Sequence, residues 1–129
     1  MAIEESGINI LVVDDEHEIC ELITAFLSTF DRIDHIVTAK DGAEAFYKLS
    51  NQEFSLIIAD QNMPRKTGLD LAQIIKRLPP KKRPKIILIS GALVSDDVMK
   101  AVMYGVKSIL VKPFTRADLI KLIEKELEL

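Results

Sequence analysis

Five short apolar runs, each followed by a segment of helical periodicity, restrict this chain more than any other feature. The runs are "INILVVD" (8–14), "HIVTA" (35–39), "SLIIAD" (55–60), "KIILIS" (85–90) and "SILVK" (108–112). Four of them are continuous and rich in β-branched residues, the pattern of strands covered on both faces. Between the first two, Ile19, Leu22, Ile23, Phe26, Leu27 and Phe30 step by three and four, which places them on one helical face. Further helices are predicted at "DGAEAFYKLS" (41–50), "GLDLAQIIKRL" (68–78), "SDDVMKAVMY" (95–104) and "TRADLIKLIEKEL" (115–127). Asp41, Ser95 and Thr115 suit N-caps, and Gly105 suits a helix stop. Alternating strands and helices need crossovers, and right-handed crossovers give a parallel sheet with helices on both faces. The expected fold is α/β, a doubly wound (βα)5 sandwich with a five-stranded parallel sheet of order 2-1-3-4-5. One domain is expected over residues 1–129, with a core from about 8 to 127.

Composition narrows the class. The 48% apolar and 29% charged content is ordinary for a globular protein. No stretch approaches the ~20 apolar residues of a membrane span, and "MAIEESG" lacks the features of a signal peptide. These points suggest a cytoplasmic protein without membrane insertion. The single cysteine, Cys20, falls among apolar helical positions and reads as a buried, inert thiol. A net charge of −3 gives no general attraction to nucleic acid. One basic stretch, "RLPPKKRPK" at 77–85, reads as a solvated surface loop because its prolines interrupt both helix and strand. A partner contact is the alternative.

In a doubly wound sheet, function lies beyond the carboxyl ends of the strands, where strand order reverses. Here the first run ends in Asp14, Asp15 and Glu16, the third in Asp60, the fourth in Ser90-Gly91 and the fifth in Lys112-Pro113. The expected strand order gathers Asp14, Asp15 and Asp60 in one pocket, with Ser90 and Lys112 beside it. Three carboxylates facing one ammonium would raise at least one carboxyl pKa. A hard divalent cation relieves that repulsion with oxygen ligands and leaves positions for water and a phosphate oxygen. A Mg²⁺ (or Mn²⁺) site with room for a phosphoryl group is therefore expected. Lys112 would add a compact positive charge and Ser90 a hydroxyl donor.

Four motifs in register, "VVDDE", "IIADQNMP", "LISGA" and "VKPF", resemble those of the receiver domains of bacterial response regulators. These are the flavodoxin-like modules of chemotaxis and two-component signalling. The resemblance covers about Ile8 to Leu127 and implies a phosphorylation-activated switch. It implies that Asp60 accepts a phosphoryl group from a histidine kinase or phosphotransfer protein. It further implies metal ligation by Asp15, Asp60 and the Asn62 backbone carbonyl, with Asp14 acting through water. Lys112 would pair with the carboxylate and then with the phosphoryl oxygen, ahead of a cis bond to Pro113. Ser90 would be the switch hydroxyl, while Gln61 and Ala92 would tune phosphoryl lifetime. Such a chain assists its own phosphorylation and dephosphorylation but has no separate turnover substrate, so it is not expected to be an enzyme. With no output domain in sight, the signal would leave through a protein bound to the face of the fourth helix, fifth strand and fifth helix, without direct contact to nucleic acid.

One position departs from the pattern. Three residues before Lys112, where the resemblance calls for Tyr or Phe, stands Ile109. A stiff β-branched side chain cannot report by ring rotation. This feature favours an alternative, a phosphorylation-independent scaffold on the same fold. Two enzyme classes fit poorly. Without a metal, "DDEHE" after the first strand would repel a flavin phosphate, and Gln61-Asn62 lacks the second aspartate of haloacid-dehalogenase-like phosphatases.

Overall fold

A computed structural model describes residues 7–92 and 95–129. Its elements alternate: β1 (Ile8–Val13), α1 (His17–Leu27), β2 (Ile33–Ala39), α2 (Gly42–Asn51), β3 (Leu56–Asp60), α3 (Gly68–Lys76), β4 (Lys85–Ser90), α4 (Ser95–Met103), β5 (Ser108–Val111) and α5 (Arg116–Leu127). All strands are parallel, in the order β2-β1-β3-β4-β5 that the sequence pattern predicts.

The two-residue period of the strands divides the core in two. Leu11, Val13, Ile57, Ala59, Ile86 and Leu88 point to one face, where Ala45 of α2, Leu71 and Ile75 of α3 and Ala101 of α4 cover them. Ile10, Val12, Leu56, Ile58, Ile87 and Ile89 point to the other, beneath Ile23 and Leu27 of α1 and Leu119 and Ile123 of α5. The three central strands are therefore apolar through their middles, where neither face meets water. The edge strands differ: β2 mixes half-buried and exposed residues with only Ala39 buried, and Val111 at the end of β5 is 52% exposed.

Local signals explain most helix limits. The Asp41 carboxylate accepts from the Glu44 N–H at 2.8 Å. Thr115 and Asp118 form a reciprocal capping box, and so do Thr67 and Asp70, a pair the sequence reading overlooked. Gly105 ends α4 with φ +82, in the left-handed region that glycine tolerates best. The residues in front of Ser95 lie outside the described set, so its expected capping role does too. Two expectations are corrected. Helix α1 stops at Leu27, leaving Phe30 half-buried beyond it, and Leu22 is 41% exposed because the buried stripe is narrower than the apolar one. The basic loop is not wholly irregular, since Pro80–Lys82 form one 3-10 turn.

Helix α3 is seated directly on the end of β3. A Cβ at Gly68 would collide with Leu88 Cδ1 and lie 2.9 Å from the Asp60 carbonyl oxygen. Gly68→Ala is therefore expected to lower stability by about 1–3 kcal/mol, the usual range for overpacking. Urea unfolding checks this; a variant as stable as the parent would show that α3 can shift without cost.

Candidate functional site

Strands β1 and β3 are neighbours in register, with Val13 opposite Ala59, so the residues after them emerge side by side. Asp14, Asp15 and Asp60 consequently converge: each offers a carboxylate oxygen, and these oxygens lie within 4.8 Å of one another. Asp14 and Asp60 are each 1% exposed, whereas Asp15 faces solvent. The Asp14 Oδ1 accepts the Glu16 N–H at 2.8 Å, while its Oδ2 is buried without a hydrogen-bond partner among the described residues. The Asp60 Oδ1 accepts the Asn62 N–H at 3.3 Å, which holds the exposed start of the following loop close to the carboxylate.

Lys112 arrives from the end of β5. Its Nζ lies 3.4 Å from Asp60 Oδ2, 3.9 Å from Asp14 Oδ2 and 3.5 Å from Glu16 Oε1. The peptide bond between Lys112 and Pro113 is cis. Glu16 as a partner of Lys112 went unforeseen, although it stands in the same "DDE" run. Ser90, at the end of β4, is fully buried, and its hydroxyl donates to the Ala92 carbonyl at 2.9 Å. A Cβ on Gly91 would meet nothing within 4 Å among the described residues.

Gln61 does not face the site as a free neighbour. It is buried, and its Oε1 accepts the Leu69 N–H at 2.8 Å, satisfying a first-turn donor of α3. The residue after Asp60 thus ties the end of β3 to α3. Met63 is buried in the core and fixes the loop between them. Ile109 pairs in register with Leu88 and packs half-buried on the same core cluster as Tyr104.

The electrostatics are unbalanced. Burial first, and then the charge of Asp60, push the Asp14 pKa up to about 6 against the pull of the Glu16 N–H and of Lys112. Burial also raises Asp60 above the ordinary carboxylate value, with Asp15 adding to the shift while the Asn62 N–H and Lys112 oppose it. For Lys112, burial pulls the pKa down, but Asp60 and Asp14 outweigh it and the net shift is upward. Beside the carboxylates, a cleft of about 420 Å³ opens between α1 and the β2–α2 turn, reaching Thr24, Thr38 and Lys40. Cys20 lines it too, yet burial pushes its thiol up to about 11, so it stays protonated and unreactive.

An orphaned buried carboxylate oxygen among three converging acids suits a hard cation with oxygen ligands. Asp14, Asp15 and Asp60 are placed to hold it. Imidazole and thiolate ligands are absent from this described cluster, which disfavours a soft-metal assignment.

Comparison with known proteins identifies the family. Residues 10–124 match the model of the response regulator receiver domain family. The chain is 30% identical to the chemotaxis protein CheY of Pseudomonas aeruginosa over 119 residues, covering 92% of this chain and 95% of that protein. It is 36% identical to the chemotaxis protein CheY1 of Helicobacter pylori over 107 residues, or 82% and 86% of the two chains. Among solved structures, chemotaxis protein CheY4 of Vibrio cholerae superposes with a TM-score of 0.84 at 28% identity, covering 95% of this chain and all of the other.

The raised Asp14 pKa has a consequence for stability. Because the folded chain holds that proton more tightly than the unfolded chain, protonation stabilises the fold at low pH. This contribution is lost as pH rises from about 4 through about 6, at a cost of roughly 1–3 kcal/mol. Urea unfolding in chelator across that range is expected to show the decline, and Asp14→Asn is expected to flatten it. An unchanged slope in that variant would contradict the assignment.

Proposed function

The chain belongs to the response regulator receiver domain family, and from that premise we propose that it is a phosphorylation-activated signalling switch with Asp60 as phosphoacceptor. The observation that carries the reading is the Asp60 carboxylate at the mouth of β3, 3.4 Å from the Lys112 ammonium and clustered with two further acids. In the proposed step an Asp60 oxygen attacks the phosphorus of a phosphohistidine on a histidine kinase or phosphotransfer protein. The P–N bond breaks, and the imidazole leaves with its electron pair and takes up a proton. The phosphoryl group spreads its charge over its equatorial oxygens, so positioning and charge neutralisation do most of the work.

Each residue has a part in that neutralisation. Lys112, already drawn into the site by Asp60 and Glu16, offers a charge-assisted donor to the phosphoryl oxygen. Ser90 has a hydroxyl now spent on the Ala92 carbonyl; on phosphorylation it turns to donate to the new oxygens. Asp14, Asp15, Asp60 and the Asn62 carbonyl are assigned to Mg²⁺ or Mn²⁺, which when bound screens the acids and the incoming phosphoryl charge. Gln61, being committed to α3, contributes rigidity to the Asp60 mount. Ala92 offers its carbonyl to Ser90.

The output is assigned to a protein target on the α4–β5–α5 face, where Val98, Met99, Val102, Met103 and Val111 are exposed. On this reading the chain is a cytoplasmic relay without a separate turnover substrate. No described helix is long and apolar enough to cross a membrane. Ile109 supports one rival reading, a scaffold insensitive to phosphorylation, because the β5 side chain beneath α4 cannot signal by ring rotation.

Incubation with Mg²⁺ and acetyl phosphate, followed by intact mass, tests the reading. The parent chain is expected to gain one phosphoryl mass and Asp60→Asn none. Equal labelling of both would remove Asp60 from its assigned role.

A further inference from the structure

The other end of the sheet carries a second charged feature that phosphoryl transfer does not use. From Lys76 to Lys85 the chain holds six cations (Lys76, Arg77, Lys81, Lys82, Arg83 and Lys85) and no acid. The 3-10 turn at Pro80–Lys82 folds this stretch back against the start of β4. Together with the α4–β5 turn it borders a cavity of about 300 Å³, whose cationic lining is Lys76, Arg83, Lys85 and Lys107. None of these four has a carboxylate within 4.0 Å among the described residues.

Two of them are held in place by backbone. The Lys76 Nζ donates to the Met103 carbonyl at 2.6 Å, and the Arg83 Nε donates to the Leu78 carbonyl at 2.8 Å. Arg83 therefore keeps both terminal guanidinium nitrogens available for a two-pronged oxyanion contact. The one acid in the lining, Glu126, already accepts from the Ser108 hydroxyl. Between the cations the wall is apolar, formed by Ile75, Pro84, Ile86 and Tyr104. Since the chain as a whole is at −3, this concentration of positive charge is local and lies at the opposite end of β4 from Ser90.

We propose that this basic cup docks an acidic segment of a partner protein, with carboxylates on Arg83, Lys85 and Lys107 and a neighbouring apolar side chain against Pro84 and Tyr104. The shape selects the class of ligand. The cations surround one concavity rather than forming the extended track that successive phosphates of a nucleic acid require. A volume of about 300 Å³ is at the lower limit for enclosing a small organic ligand but seats side chains of a chain laid across its mouth. The apolar wall would be wasted on a bare inorganic anion. Docking here is independent of Asp60, so a partner can hold this end while the carboxyl ends of the strands remain open to a phosphodonor.

The probe is a short fluorescent peptide of alternating glutamate and leucine, titrated into the full chain at low and high salt. Saturable binding that weakens with salt is expected, with amide shifts confined to residues 72–86 and 104–107. The double variant Arg83→Glu/Lys107→Glu is expected to weaken it at least about fivefold, as the loss of two exposed charge contacts predicts. Lys107→Gln, which removes charge without reversing it, is expected to fall between the two, while Asp60→Asn binds like the parent. Circular dichroism verifies that the variants fold. Equal affinity of parent and double variant, or amide shifts at the α4–β5–α5 face, would overturn the proposal. So would tighter binding of tripolyphosphate or of an oligonucleotide than of the peptide, which would assign the cup to phosphate.

Discussion

The central constraint in this molecule is a pair of buried carboxylates, Asp14 and Asp60, set at the ends of two apolar strands with a single ammonium, Lys112, between them. Neither acid reached that place through favourable solvation. The continuous burial of β1 and β3 leaves the strands no freedom to slide or turn, since a one-residue slip would expose each apolar side chain to the wrong layer. The sheet spends part of its hydrophobic stabilisation on holding charges where water cannot fully screen them. That imbalance leaves Asp14 with a pKa of about 6 and an oxygen without a partner among the described residues. It makes the site receptive to added positive charge and to a group that redistributes negative charge.

Rigidity on either side keeps the arrangement in place. Gly68 permits α3 to lie against the Asp60 carbonyl, and Gln61 closes the same junction by accepting from Leu69. Ser90 and Lys112 come from adjacent strands, held by the hydrogen bond from the Lys112 N–H to the Ser90 carbonyl at 2.9 Å. The part with latitude is the Ser90 hydroxyl, which rests on the Ala92 carbonyl. At the far end of α3, Lys76 donates to the Met103 carbonyl and joins that end of the helix to the end of α4.

Much of this was legible in the sequence, for identifiable reasons. Strand order and layering follow from hydrophobic period, and burial energy dominates that choice. The acids, Ser90 and Lys112 could be singled out because a polar residue closing an apolar run lands at the carboxyl edge of the sheet. What escaped the sequence depended on side-chain direction. Gln61 looked like a neighbour of the reaction, but its amide turns toward an unsatisfied donor of α3. Glu16 closes the same acidic run as Asp14 and Asp15, but only its side-chain direction brings it to Lys112 across the site. Leu22 belongs to the apolar stripe and still faces outward, because α1 touches the sheet along a narrower line than its composition suggests.

The account holds that these three carboxylates form one oxygen-ligand cation site created by their enforced proximity. Calorimetric titration of the chain with Mg²⁺ tests that most directly. One saturable site is predicted in the parent, lost in Asp15→Asn and in Asp60→Asn alike. Binding as strong as the parent's in either variant would show that the acids do not form one site, and the account would be wrong.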